Sequence, residues 1–349
     1  MVEAPPAPLR LKLDGSALQA NWRALDRLSG KAACGAAVKA NGYGLGVREV
    51  VSRLADAGCR DFFVATWEEA KEIADLVTGL SLSVFHGVRA EDIETALTLA
   101  ARPCLNSAEQ VARWKEADGG PCDVMIDTGM NRLGLSANEV LSGVLDGLEI
   151  DTLMSHLSCA DEEDHPLNRK QCDALKRLVG ITSATRLSLA NSAGIALGTR
   201  YHFDLTRPGL SLYGGVQSQD LEDHIRNVVA VEAQVIQRRK IKPGDTVGYS
   251  ATATATEAVE LAILNIGYAD GYLRSFSESG TAYAGDIACP VIGLVSMDLI
   301  AVDVTDAPQV GEGDWLEIEY DLPMASGQSG LSQYELLTGI GDRYQRIWL

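Results

Sequence analysis

AAVKANGYGLG, residues 36–46, ends an apolar run on Lys39 and then sets glycines at 42, 44 and 46 before a segment of helical period, VREVVSRLADA at 47–57. A strand that delivers a lysine to its carboxyl end, turns through a glycine-rich loop and continues as a helix is one strand–helix unit of a parallel α/β fold. In a closed barrel such a lysine stands at the carboxyl-terminal mouth, where active sites are built. Two plainer readings accompany it: a lysine that caps a strand and reaches for solvent, and a dinucleotide-binding loop. The glycines run G-x-G-x-G and not G-x-G-x-x-G, and a lysine aimed into the site has no purpose in that loop.

Outward from this segment the same unit recurs between about residue 10 and residue 225. Apolar runs at 33–38, 61–65, 81–85, 122–126 and 186–189 alternate with helix-like stretches at 47–57, 67–77, 107–117 and 168–179. In the second of these stretches Ala70, Ile73, Ala74 and Val77 fall on one helical face. About eight such units suggest an N-terminal (β/α)8 barrel of the TIM type over residues 1–225, with an open doubly wound sheet as the competing architecture. From residue 226 the texture changes to short runs rich in Val, Ile and Thr, separated by Gly, Pro and Asp. This predicts a mostly antiparallel β domain over 226–349, interrupted late by a single helix at 332–339.

Composition limits what such a chain does. Its 349 residues are 46% hydrophobic and 22% charged, which suits a globular enzyme. A formal net charge of −18 argues against nucleic acid and against an anionic membrane surface, although a local pocket can still take an anionic small ligand. The seven cysteines are scattered and unpaired in spacing, no run is long enough to span a membrane, and Met1 to Arg10 does not read as an export signal. A soluble protein of a reducing compartment, the cytoplasm, is the expectation. HLSCADEEDH at 156–165 holds histidines, a cysteine and carboxylates without the spacing of a metal site, and reads as a solvated loop, so no metal is expected.

Lys39 with Ala40, Asn41, Tyr43 and Gly44 closely resembles the cofactor-lysine motif of the alanine racemases. IDTGMNRLG (126–134), SHLSCAD (155–161), ANSAG (190–194), TRPGLSLYG (206–214), VGYSATATA (247–255), NIGYADGY (265–272), SMD (296–298) and QYELLTGIGDRYQR (333–346) resemble further segments of that family, in the family's order. The resemblance implies a pyridoxal 5'-phosphate barrel with a C-terminal β domain, and a head-to-tail homodimer whose active sites are shared between subunits.

It also implies roles. Lys39 would carry the cofactor as an imine and, once released by an incoming amino acid, act as one base; Tyr249, from the partner subunit, would be the other. Inverting a stereocentre requires removal of a proton on one face and delivery on the other, which one group cannot do, and both groups need lowered pKa values to work near neutrality. The phosphate would be held by Tyr43, Asn191, Ser192, Gly209, Leu210 and Tyr334, with Ser192 also suited to a helix N-cap. Arg207 would face the pyridine nitrogen without surrendering a proton, with His156 behind it. Arg132 and the Met297 backbone N–H would meet the substrate carboxylate, and Tyr268 and Asp298 would shape the entrance.

The sequence departs from the family in one place that matters. Many members carry a carbamylated lysine where this chain has Met125, and a thioether holds neither carbamate nor charge. The expectation is that an inorganic anion such as chloride, or other protein groups, orients Arg132. The family's common histidine after Tyr-Gly is Leu45 here. Alanine racemisation for cell-wall precursors is the reading that follows, with a serine or broad-specificity racemase as its near rival. A related decarboxylase would place a cysteine at Tyr249, and a non-catalytic pyridoxal-phosphate carrier would lack the β domain.

Overall fold

The computed structural model describes residues 6–349, so Met1 to Pro5 of the N-terminal stretch lie outside the described residues. Two compact units are present: Ala17 to Arg226, and the described residues up to Ser16 together with Asn227 to Leu349. The division differs from a simple cut at 225/226. Strand β1 (Leu9–Leu13) alternates buried leucines with half-exposed Arg10 and Lys12, and it finds its partners only at the far end of the chain. It pairs antiparallel with β11 (Val229–Ile241) and parallel with β19 (Gln345–Trp348).

The first unit is the parallel barrel. Gly35 divides its opening strand into β2 (Ala33–Cys34) and β3 (Ala36–Ala37). From there run β4 (Asp61–Val64), β5 (Ser81–Val84), β6 (Arg102–Leu105), β7 (Cys122–Met125), β8 (Ile150–Met154), β9 (Arg186–Ser188) and β10 (Leu205–Thr206). The order β2-β10-β9-β8-β7-β6-β5-β4-β3 brings the last strand beside the first, because β2 and β3 are two edges of one stretch. Gly35 N–H donates to Thr206 O at 2.9 Å. A Cβ at Gly35 would lie 2.8 Å from a Phe63 ring carbon and 2.9 Å from Asp61 O, so closure needs glycine there.

The strands are buried almost throughout, as central parallel strands are, and two predicted apolar runs carry buried acids. Asp61, the first residue of β4, and Asp123, the second of β7, join Asp151, Arg102 and Arg186 in a charged floor at the amino end of the barrel. Arg186 Nη2 reaches Asp61 at 2.8 Å and Asp151 at 2.6 Å, and Arg102 Nη2 reaches Asp151 at 3.1 Å. Ser83 Oγ donates to Asp123 at 2.5 Å.

The second unit is an antiparallel sheet that returns on itself. Strands β14 (Val259–Leu264), β17 (Ile300–Asp303), β16 (Ile287–Ile292), β15 (Thr281–Ala284) and β18 (Trp315–Ile318) lead round to β11, and β11 also pairs with β14 after a register shift between Val235 and Gln237. A short ladder, β12 (Thr246–Val247) with β13 (Ala253–Thr254), stands apart. Instead of one late helix there are two, Leu322–Ser329 and Gln333–Thr338. Asp321 accepts the Met324 N–H and Pro323 sits in the first turn, a start signal that Gly327 and four small or polar neighbours obscure. Among the described residues no helix is long and apolar enough to cross a membrane. All seven cysteines are free thiols, six of them buried.

Candidate active site

Lys39 follows β3, Arg132 lies in the loop after β7, and His156 follows β8. Asn191 and Ser192 follow β9, and Arg207, Gly209 and Leu210 follow β10. Every one of these sequence-predicted residues leaves the carboxyl end of a barrel strand, so the strands converge them on one mouth.

Beyond Lys39 the chain makes a left-handed turn, with positive φ at Ala40 (53°), Asn41 (54°), Gly42 (62°), Tyr43 (55°) and Gly44 (85°). Such backbone costs about 1–2 kcal/mol per non-glycine residue, and a dense set of bonds holds it. Ala40 N–H donates to Glu69 Oε1 at 2.7 Å, and Val47 N–H to Asn41 Oδ1 at 2.8 Å. Gly42 N–H donates to Val38 O at 2.9 Å. Glu69 also accepts from Ala65 N–H at 2.6 Å and completes a capping box with Thr66 on the helix Trp67–Ile73. The turn holds Lys39 at the mouth, where desolvation and then the Arg132 cation lower its pKa, opposed by Glu69. A lysine so placed gives up its proton more readily than one in water.

The same turn buries Tyr43 and stacks it on Tyr213, ring centroids 4.5 Å apart, and Tyr213 Oη donates to Ala37 O at 2.9 Å. The Tyr43 ring lies over Gly209, where a Cβ would come 3.0 Å from its Cζ and closer still to its hydroxyl. Gly209 N–H and Ser211 N–H both point at Ser192 Oγ, at 3.0 and 3.2 Å. Asn191 Oδ1 caps the short helix Ser192–Ala196 through Gly194 N–H at 2.8 Å, and Leu210 opens the turn Leu210–Tyr213. Converging N–H groups, hydroxyls and a missing Cβ make a cradle that fits a phosphate.

Arg207 is buried, donating to Ser155 O at 2.6 Å and to Ser188 Oγ, and it makes no ion pair with the described residues. Burial pushes its pKa down to about 10, so it stays a cation at neutral pH with neutral partners only. A buried cation of this kind fits a ring nitrogen that accepts a hydrogen bond. Burial, then Arg207, Arg132 and Lys39, push His156 down to about 3, so its imidazole is neutral in the working range. These features together fit pyridoxal 5'-phosphate: a cradle for the phosphate, Arg207 for the ring nitrogen and Lys39 for the aldehyde.

Asp127 Oδ1 gathers the N–H groups of Gly129, Met130 and Asn131 at 2.8, 2.9 and 3.1 Å, which shapes the loop presenting Arg132. Arg132 is exposed and makes no hydrogen bond or ion pair with the described residues. Met125 is packed in an apolar cluster with Phe63, Cys104, Met154 and Leu205, and Leu45 is fully buried. The acidic loop is absorbed into fold: His165 Nδ1 accepts the Leu167 N–H at 3.2 Å and caps the helix Pro166–Lys176.

Tyr249, Tyr268, Met297, Asp298 and Tyr334 belong to the second unit. Tyr249 is 63% exposed and Met297 53%, and positive φ values at Ser250 (58°) and Ala251 (48°) follow the tyrosine. Tyr268 N–H donates to Ser296 O at 3.0 Å, which joins its turn to that of Met297 and Asp298. Tyr334 is half-buried on the helix Gln333–Thr338. Sequence reasoning did not find the residues that hold the Lys39 turn, Tyr43 and Arg207 in place, namely Glu69, Ser155, Ser188 and Tyr213. Only the capping pattern Thr66-x-x-Glu69 carried a readable signal.

Family profiles described as the alanine racemase N-terminal and C-terminal domains match residues 13–217 and 228–348. The chain is 42% identical over 346 residues to an alanine racemase of Cereibacter sphaeroides, covering 97% of this chain and 98% of that one. It is 39% identical to a biosynthetic alanine racemase of Agrobacterium fabrum, covering 98% and 94%. The crystal structure of alanine racemase from Bartonella henselae with covalently bound pyridoxal phosphate superposes with a TM-score of 0.91 at 35% identity, covering 99% and 100%. The biosynthetic enzyme of Pseudomonas aeruginosa superposes with 0.89 at 31% identity, covering 98% and 99%. With both domains matched from end to end, the chain belongs to the alanine racemase family.

Proposed function

We propose that this chain interconverts L- and D-alanine with Lys39 and Tyr249 as bases on opposite faces of the substrate Cα. As a member of the family it is a pyridoxal-phosphate-dependent racemase, an isomerase. The cofactor supplies an aldehyde for amines and an electron-withdrawing ring that acidifies the Cα–H bond. The rest falls to the protein. Tyr43, Asn191, Ser192, Gly209, Leu210 and Tyr334 hold the phosphate, and Arg207 donates to the ring nitrogen while keeping its proton, with neutral His156 beside it. Withholding that proton weakens the electron sink and favours quick return of the Cα proton over side reactions. Lys39 Nζ takes or gives the proton on one face, and Tyr249 Oη on the other.

The observation that carries this reading is Lys39, fixed by a left-handed turn and lowered in pKa by desolvation and then by Arg132, against Glu69. The exposure of Tyr249 and Met297 supports their insertion into the site of a second copy, in a homodimer with shared active sites. Arg132, Met297, Tyr268 and Asp298 would meet an amino-acid substrate, and the lack of a hydrogen-bond or ion-pair partner for Arg132 among the described residues favours an inorganic anion such as chloride beside it. Free thiols throughout favour the cytoplasm, where D-alanine would serve peptidoglycan synthesis. In the test, Tyr249→Phe keeps the visible absorption of lysine-bound cofactor and loses racemisation, while exchanging the Cα proton for solvent deuterium in one enantiomer only. Parent-like racemisation by that variant would overturn the two-base assignment. Serine assayed in parallel decides between a strict and a broader enzyme.

A further inference from the structure

Tyr268, Met297 and Asp298 sit on two turns of the second unit, and one arginine ties those turns to a third segment. Arg343 donates from Nε to Asp270 Oδ1 and from Nη1 to Asp298 Oδ1, both at 2.7 Å. Asp270 has no exposed side-chain surface, and its other oxygen accepts the Gly267 N–H at 3.0 Å. The backbone follows the same lines. Tyr268 N–H reaches Ser296 O and Ala269 N–H reaches Met297 O, both at 3.0 Å, and Gly341 N–H reaches Asp270 O at 3.3 Å. The turns meet without room to spare, since a Cβ on Gly271 would lie 2.9 Å from Gly339 C.

An exposed ion pair contributes little by itself. Here one carboxylate is buried, which fixes the guanidinium, and the rigid fork then offers a second edge to half-exposed Asp298. A lysine, as a single point of charge, could satisfy Asp270 or Asp298 but would not set the angle between them.

We propose that Arg343, anchored by Asp270, is a positioning residue for substrate recognition, fixing the 296–298 turn against the 267–271 turn and so placing Tyr268, the Met297 N–H and Asp298. The inference rests on the reading of those three residues as substrate-facing. It separates from a purely stabilising ion triad in where the damage appears.

The experiment uses the holoenzymes of Arg343→Lys and Arg343→Met, with alanine kinetics in both directions and hydrogen exchange at the Tyr268 and Ala269 amides. The expected result is a KM raised about tenfold or more with kcat largely kept, unchanged cofactor absorption, and amide exchange about tenfold faster. Parent KM in Arg343→Lys overturns positioning by the fork, because charge alone then suffices. Unchanged exchange in both variants overturns the clamp. Should Tyr268→Phe and Asp298→Asn also keep the parent KM while exchange quickens in Arg343→Lys, the substrate-facing reading has failed and takes the inference with it. If Arg343→Met does not fold, Asp298→Asn, which leaves the Asp270–Arg343 pair whole, reports the same exchange.

Discussion

Replacing Gly209 by alanine isolates the phosphate cradle. The residue has φ of −129°, so alanine meets no left-handed penalty there, but its ψ of −83° lies outside the α and β ranges and adds a backbone cost to that of the neighbours. The new Cβ would stand 3.0 Å from Tyr43 Cζ, with the hydroxyl closer, and 3.5 Å from Ala37 Cβ. Ordinary carbon contact lies near ~3.5–4.0 Å, so the tyrosine ring must shift by at least about half an ångström. Tyr43 is also stacked on Tyr213, which limits its escape. Overpacking of this kind costs about 1–3 kcal/mol. If the strain is relieved by moving the Tyr43 hydroxyl away from the phosphate, the cofactor Kd rises roughly 5- to 150-fold at 1.36 kcal/mol per decade. Titration of apoenzyme with pyridoxal 5'-phosphate, followed by visible absorption, reads this directly, while thermal melting of the apoenzyme reads any global loss. Tyr43→Phe removes the atom in closest conflict, so the Gly209→Ala, Tyr43→Phe double variant should lose at least about 0.5 kcal/mol less than the sum of the singles. A parent Kd in Gly209→Ala, or strict additivity in the double variant, would refute the reasoning.

The barrel floor, the neutral histidine and the unpartnered arginine each yield a further expectation. Arg186→Met strips Asp61 and Asp151 of a shared cation; with that arginine about a quarter exposed, the loss is discounted to about 2–3 kcal/mol in urea unfolding, and a loss below about 0.5 kcal/mol would show the floor to be inert. His156 is held near pH 3 against 6.5 for an unperturbed histidine. The unfolded chain therefore protonates first as the pH falls, and stability, full above about 6.5, drops by up to about 1.4 kcal/mol per pH unit towards 3. His156→Gln should flatten that slope between about pH 6 and 4, and parallel curves for parent and variant would contradict it. Replacing chloride by a bulky organic anion at constant ionic strength should raise KM for alanine several-fold if a small anion orients Arg132, and identical kinetics in both salts would remove the anion from the site.

How much of this was legible depended on the distance over which each signal acts. The strand before Lys39 and the helices after it follow from local periodicity, and the structure keeps them, though the strand ends at Ala37 and Lys39 opens the turn beyond it. Strand β6 did not stand out because Arg102 and Pro103 occupy half of its four residues. Strand β10 is two residues long and left no pattern to read. The membership of β1 in the second unit is decided by pairing with β11 and β19, which nothing near residue 10 announces. At the site, the residues proposed to touch ligand were visible through family motifs. Those that hold them, such as Ser155 and Ser188 under Arg207 or Glu69 beneath Ala40, are common residue types whose meaning arises only once the barrel closes.

The placement of β1 also sets an order in time. This strand is made before either of its partners, and Lys12 waits 220 residues for Glu232. Its other neighbour, β19, comes later still, and just beyond it Leu349 N–H meets Leu13 O at 2.9 Å. A nascent chain therefore carries three unprotected leucines until β11 is made, a long-range closure of the kind that slows folding and invites wrong pairing. Loss of β19 alone would leave β1 paired with β11 along one edge and bare along the other.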